Sequence, residues 1–171
     1  MDGRLELRPG ESVDINAPQA WSGRFWGCCS CSFDISRLSG AGGAPPATLA
    51  KFTLNSPVDF YDGYNMPVSI FPTRGSGECK VVTCVSDLNQ NCLKDLQVLR
   101  NGRVAACNSA CMAFNKPEYC CTGAYGTPET CKPTDYSKVL KVSCPTSYSY
   151  AYDNLTSTFT CKGANYVIRF C

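Results

Sequence analysis

The chain has 171 residues, of which 44% are hydrophobic, and it carries a formal net charge of +2 without a single histidine. This length can bury one core with an attached loop-rich region, but hardly two ordinary domains. The lack of histidine excludes catalytic triads that need an imidazole base, and the small net charge without a run of Lys and Arg argues against nucleic-acid binding.

The cysteine content indicates the compartment. Fourteen cysteines are far above ordinary usage, and an even number favours a disulfide framework made in an oxidising environment. The alternative is a cytosolic zinc protein, which the lack of histidine and of paired CxxC knuckles disfavours. We therefore expect a secreted protein without a metal or other cofactor. No apolar run is long enough to cross a bilayer, and the start MDGRLELRPGESVDI shows no signal peptide.

The first part of the chain predicts short antiparallel strands followed by a loop. Residues 4–27 carry β-forming residues in alternation, with turn signals such as Pro9-Gly10 between them. Residues 28–46, CCSCSFDISRLSGAGGAPP, are rich in Gly, Ser and Pro and have no periodicity, which predicts a loop. Residues 66–71 alternate as expected for a strand with one buried face.

The second half mixes strand, helix and a dense group of cysteines. ECKVVTC predicts a strand, whereas residues 87–100 have apolar side chains at spacings that suggest a short amphipathic helix. TDYSKVLKVSC, residues 134–144, also has near-helical spacing and is the better helix candidate. Six cysteines are spaced too irregularly for one face of a helix or strand, which indicates disulfide loops: Cys107, Cys111, Cys120, Cys121, Cys131 and Cys144.

Several segments together resemble the plant thaumatin-like proteins. They are RPGESVDINAP…WSGRFWG, PPATLAKFTLN, DFYDGYNMPVSIFP and, nearly without gaps from Cys79 onward, KPEYCC, TDYSKVLKVSCP, YSYAYD and NYVIRFC. The resemblance implies an all-β, antiparallel β-sandwich with a disulfide-rich loop and helix lobe. It also implies that CLKDLQV is extended, and that PPATLAKFTLN is a strand with Leu49, Phe52 and Leu54 in the core.

The resemblance divides the chain into three parts. Residues 1–27, 47–85 and 145–171 would form the sandwich, and residues 86–144 the disulfide-rich lobe. Residues 28–46 would be the reduced remnant of a small disulfide lobe, because the family's T-G-D-C signature loop is absent here. The family's first strand is absent as well, and DFYDGYN looks like a longer family segment with residues removed from its middle.

The resemblance also implies a disulfide pairing, which spacing alone could not choose. The implied pairs are Cys79–Cys161, Cys84–Cys144, Cys92–Cys107, Cys111–Cys120 and Cys121–Cys131. The remaining cysteines are Cys28, Cys29, Cys31 and Cys171, and their pairing stays open between a new bridge from Cys171 and free thiols.

The family has an acidic cleft lined by one arginine, one glutamate and three aspartates, and a suitably spaced carboxylate pair is what glucan hydrolysis requires. The matching positions here are Arg24, Lys51, Asp62 and Asp153, with Lys51 in the place of the glutamate. An ammonium group is a poor substitute for a tuned carboxylic acid, so hydrolysis is disfavoured. The alternative for the two aspartates is a solvated or salt-bridged structural role.

Sugar binding without hydrolysis needs aromatic faces and groups that hydrogen-bond to sugar hydroxyls. The candidates are Tyr61, Tyr64 and Tyr152, and also Tyr148 and Tyr150. The alternative is that they are core residues, as most tyrosines in a sandwich are. Asn154-Leu155-Thr156 fits an N-glycosylation sequon.

The function that the resemblance implies is a monomeric, secreted plant defence protein, located in the apoplast or vacuole. It would act against fungi by binding cell-wall β-glucan or another part of the fungal surface, or by perturbing membranes. The alternatives are an endo-β-1,3-glucanase with a weakened cleft, an inhibitor of a fungal hydrolase, and an inactive shortened family member.

Overall fold

The computed structural model of the chain describes residues 3, 5–18, 20–28, 46–53, 63–84 and 86–170. Within these residues the helices are short, and the strands pair with one another. The strands are β1 (Ser22–Trp26), β2 (Leu49–Thr53), β3 (Val68–Thr73), β4 (Ser76–Gly77), β5 (Val82–Cys84), β6 (Gln97–Arg100), β7 (Arg103–Cys107), β8 (Cys161–Lys162) and β9 (Asn165–Phe170). The α-helices are α1 (Ala110–Phe114), α2 (Pro117–Cys120), α3 (Asp135–Ser143) and α4 (Asn154–Ser157), and Lys94–Leu96 and Gly123–Tyr125 are 3-10 turns.

Strand pairing in the described residues is antiparallel throughout. β1 pairs with β2, β3 lies between β5 and β9, β4 pairs with β8, and β6 forms a hairpin with β7. The pairing of β3 with β9 joins the middle of the chain to its end, with Val68 opposite Phe170 and Thr73 opposite Asn165. Such long-range pairing is typical of an all-β fold.

Two sheets pack face to face across an apolar layer. Ala50, Met66 and Val68 are buried at its centre, and the partly buried side chains around them come from β1, β2, β3 and β9: Phe25, Phe52, Ile70, Ile168 and Phe170. Phe52 also contacts the ring of Tyr166 at 5.0 Å between centroids. The strand prediction for PPATLAKFTLN therefore holds for Leu49–Thr53, with Phe52 in the core; Leu54 lies outside the described residues.

A second core lies in the disulfide-rich region. Its buried members combine apolar side chains with the cysteines of two disulfides: Tyr64, Cys84, Leu88, Cys92, Leu96, Cys107, Leu140 and Cys144. The five disulfides of the described residues are Cys79–Cys161, Cys84–Cys144, Cys92–Cys107, Cys111–Cys120 and Cys121–Cys131, the same pairs that the family resemblance implies. Cys28 is disulfide-bonded as well.

Helix α3 forms as its sequence predicts. The Thr134 hydroxyl caps its start by accepting a hydrogen bond from the Ser137 amide, and Asp135 and Lys141 lie in the first and last turns, where their charges favour the helix dipole. Ser137 and Leu140 are buried, so this face packs against the rest of the molecule.

Two predictions from periodicity are wrong. Residues 5–18 form no strand, and Leu5, Leu7, Val13 and Ile15 are exposed, because alternation produces a strand only where a partner and a burying surface exist. The amphipathic helix over residues 87–100 is reduced to a 3-10 turn followed by β6. Of CLKDLQV, which the resemblance implies is extended, only Gln97 and Val98 lie in a strand, where β6 pairs with β7 next to the Cys92–Cys107 disulfide.

Candidate functional site

The first two candidate residues lie next to each other in a sheet. Arg24 of β1 is the register partner of Lys51 of β2, so their side chains leave the same face of the sheet directly opposite each other. Arg24 is exposed and Lys51 is half-buried. The structure therefore brings together two of the predicted site residues, Arg24 and Lys51. Asp62 and Tyr61 lie outside the described residues.

Asp153 lies in a different setting, at the start of α4. Its side chain is only 10% exposed, and its Oδ2 forms an ion pair with Lys141 Nζ at 2.9 Å. The same oxygen accepts hydrogen bonds from the Ser149 amide at 2.9 Å and the Ser149 hydroxyl at 2.8 Å. Its Oδ1 accepts a hydrogen bond of 2.6 Å from the Thr156 hydroxyl. Both carboxylate oxygens are thus occupied by donors from the protein.

These partners determine the protonation state of Asp153. Burial by itself raises its pKa, but the hydrogen bonds from Thr156, Lys141 and Ser149 stabilise the charged form, and the net effect is a pKa below the ordinary value. Asp153 is therefore ionised at neutral and mildly acidic pH. A carboxylate in this state cannot act as the general acid of a glycosidase, which has to be protonated when the substrate binds.

Lys141 is the residue that the sequence prediction missed. Besides Asp153, its ammonium group donates hydrogen bonds to the Ser147 carbonyl at 3.1 Å and the Ser157 hydroxyl at 2.8 Å. It therefore ties α3 to the segment around α4. The signal was present in the helix periodicity, because Lys141 follows buried Leu140 and lies four residues after buried Ser137, on the buried side of α3.

The candidate tyrosines have different roles. Tyr64 is only 2% exposed, and its hydroxyl donates a hydrogen bond to the Ser86 carbonyl. It is therefore a core residue whose ring cannot contact a ligand, and its prediction as a sugar-binding residue is wrong. Tyr152 is half-buried and donates a hydrogen bond of 2.6 Å to the Gly126 carbonyl. Tyr150 is half-buried; burial raises its pKa, and the charge of Asp153 adds to the effect.

The described residues thus contain an antiparallel β fold with disulfide loops, a pair of cations in the first sheet, and a carboxylate held in an ion pair by α3. These features define the class of protein as a β-sandwich crosslinked by disulfides.

Comparison with known proteins gives the family. The sequence matches the model of the thaumatin family over residues 1–171. It is 51% identical over 189 residues to pathogenesis-related thaumatin-like protein 3.5 of Cryptomeria japonica, a match that covers 99% of this chain and 78% of that protein. It is 52% identical over 190 residues to a thaumatin-like protein and to pathogenesis-related protein 5, both of Arabidopsis thaliana, with 99% of this chain and 78% and 79% of those proteins covered. The chain belongs to the thaumatin family.

The lengths of these matches also bear on the missing segments. The matched stretches of 189 and 190 residues are longer than the 171 residues of the chain, so the alignments contain gaps in this sequence. The relatives therefore carry residues inside the matched region that this chain lacks.

Proposed function

We propose that this chain is a secreted plant defence protein that acts against fungi by binding the β-glucan of their cell walls. The observation that supports this best is the similarity to two plant proteins named as pathogenesis-related, along nearly the whole chain. The five disulfides add support for secretion, because such frameworks persist in oxidising compartments.

Binding is favoured over hydrolysis by the chemistry of the candidate site. Position 51 holds an ammonium group in place of a carboxylic acid, and Asp153 is held ionised by Lys141. A neutral glucan can still be bound by ring faces and hydrogen-bonding groups, for which half-buried Tyr152 and exposed Arg24 remain candidates. Among the described residues no helix is long and apolar enough to cross a membrane.

Binding can be tested by sedimentation with insoluble β-1,3-glucan, with cellulose as the matched β-1,4-linked control. We expect the protein to sediment with β-1,3-glucan and to stay in solution with cellulose. Tyr152→Ala should weaken binding about fivefold, the loss of about 1 kcal/mol expected for one aromatic contact, whereas Tyr152→Phe keeps the ring and should bind as the wild type. Equal sedimentation with both polymers, or with neither, would refute glucan recognition. Release of dye from lipid vesicles without glucan binding would favour membrane perturbation instead.

A second prediction concerns hydrolysis. We expect no release of reducing sugar from soluble β-1,3-glucan by the wild-type chain, because position 51 has an ammonium group in place of a carboxylic acid and the lowered pKa of Asp153 keeps it ionised. Lys51→Glu restores a carboxyl group opposite Arg24 and is the variant in which activity should be sought. Hydrolysis by the wild type that is lost in Asp153→Asn would show that the chain is a glucanase after all.

A further inference from the structure

The proposed function makes no use of one motif, the tripeptide Asn154-Leu155-Thr156, which is the only N-x-Ser/Thr sequon without proline in the chain. All three residues are exposed in the folded protein, and Leu155 is 99% exposed. The tripeptide forms most of the single turn α4, Asn154–Ser157. A bulky hydrophilic modification at Asn154 would therefore lie on the surface, beside an apolar side chain that the protein leaves in water.

In the folded protein both polar side chains of this sequon are engaged. The Thr156 hydroxyl donates a hydrogen bond of 2.6 Å to Asp153 Oδ1, and the Tyr148 hydroxyl donates one of 3.1 Å to Asn154 Oδ1. The Thr158 amide closes the turn on the Asn154 carbonyl at 3.0 Å.

Lys141 also holds the turn in place. Lys141 holds Asp153 on one side of the tripeptide and Ser157 on the other, at 2.9 and 2.8 Å. Lys141 lies in the last turn of α3, so these contacts form when α3 packs against the turn. In the native protein the side chains of Asn154 and Thr156 are thus held in hydrogen bonds that the unfolded chain does not make.

We propose that Asn154 accepts an N-linked oligosaccharide while the chain is still unfolded in the secretory pathway, and that closure of the turn by Lys141 and Asp153 ends this reactivity. The inference rests on the secretion included in the proposed function. The donor class is a polyprenyl-diphosphate oligosaccharide, supplied with its transferase by the secretory pathway.

In the transfer, the Asn154 side-chain nitrogen forms a bond to the anomeric carbon of the sugar and gives up a proton to a base of the transferase. The bond from that carbon to the diphosphate oxygen breaks, and the lipid diphosphate leaves with the electron pair. The transferase has to hold the asparagine amide and the hydroxyl of the residue two positions later, which is why the sequon requires Ser or Thr. In the folded protein the Thr156 hydroxyl already donates its hydrogen bond to Asp153, so the transferase would have to break this bond to hold it.

The site can be tested by translation in the presence of microsomes, with a heterologous signal sequence so that entry does not depend on the chain's own export. We expect a mass increase that an endoglycosidase removes in the wild type and in Thr156→Ser, which keeps the hydroxyl. Asn154→Gln should show none. An unmodified wild-type chain inside the microsomes would overturn the proposal.

The order of events has its own test. The oxidised, refolded protein with its five disulfides and the reduced, unfolded chain are offered separately to solubilised transferase with its lipid-linked donor. We expect modification of the unfolded chain only, and a higher occupancy for Lys141→Met than for Lys138→Met during translation in microsomes. Equal modification of the folded and unfolded chains would refute the closing of the site. Glucan sedimentation of Asn154→Gln reports on the proposed function independently of either result.

Discussion

Replacement of Asp153 with asparagine is expected to lower the free energy of unfolding by about 3 kcal/mol. Asparagine keeps the size of the side chain but offers one acceptor oxygen where the carboxylate serves four donors, and it leaves the Lys141 ammonium without its counter-charge. The expected loss lies at the low end of the range for a broken buried ion pair, because the Lys141 side chain is 25% exposed. Denaturant unfolding of the oxidised proteins measures it.

The chain offers a matched control on the same helix. Lys138 and Asp135 form an ion pair of the same length, 2.9 Å, but their side chains are 63% and 96% exposed. Lys138→Met should therefore change the free energy of unfolding by less than about 0.5 kcal/mol. Equal losses for Asp153→Asn and Lys138→Met would show that the network around Asp153 has no special role in stability.

The same variant has a pH signature. The pKa of Asp153 is lower in the folded protein than its ordinary value of 3.8, so the charged form adds stability above pH 3.8 and this contribution is lost as the pH falls through the lower folded value. The difference in unfolding free energy between the wild type and Asp153→Asn should therefore shrink as the solution is acidified below pH 3.8. A difference that stays constant from neutral to strongly acidic pH would contradict the depressed pKa.

Removal of the Cys84–Cys144 disulfide is expected to destabilise the protein even more than the loss of the Asp153 carboxylate. The two cysteines are 60 residues apart, and a loop of that length corresponds to about 4 kcal/mol of restricted chain entropy in the unfolded state. Three other disulfides lie inside this loop and shorten it, so the figure is an upper value. Both cysteines are buried in the second core, and their replacement by alanine also removes packed sulfur atoms there.

The control is the pair Cys111–Cys120, which closes a loop of only 9 residues between half-buried cysteines. Its double alanine variant should lose about 2.5 kcal/mol by the same relation. Thermal unfolding of the two double variants under oxidising conditions compares them directly. A smaller loss for Cys84 and Cys144 than for the short loop would mean that the native contacts of β5 and α3, and not the crosslink, hold these elements together.

The candidate site shows what a sequence match can and cannot provide. The resemblance assigned Arg24, Lys51 and Asp153 to one cleft, and the register of β1 and β2 indeed places Arg24 beside Lys51. It gave no sign that Asp153 is bound to Lys141, because the two residues meet only after α3 packs against the segment that follows it. Tyr64, a candidate for sugar binding because of its ring, is instead buried and forms an isolated bridge with Cys107.

The amino-acid sequence by itself determined the features that depend on neighbouring residues or on composition. Helix α3 follows from the Thr134 cap, the charges at its ends and its apolar spacing, and the need for disulfides follows from fourteen cysteines. The tertiary structure alone decided which alternating segments became strands and which charges were buried. Residues 5–18 have the alternation of strands but no partner strand within the described residues. In contrast, β3 pairs with β9, although the two strands are far apart in sequence. Such choices depend on contacts between residues far apart in sequence, whose free energy no local pattern contains.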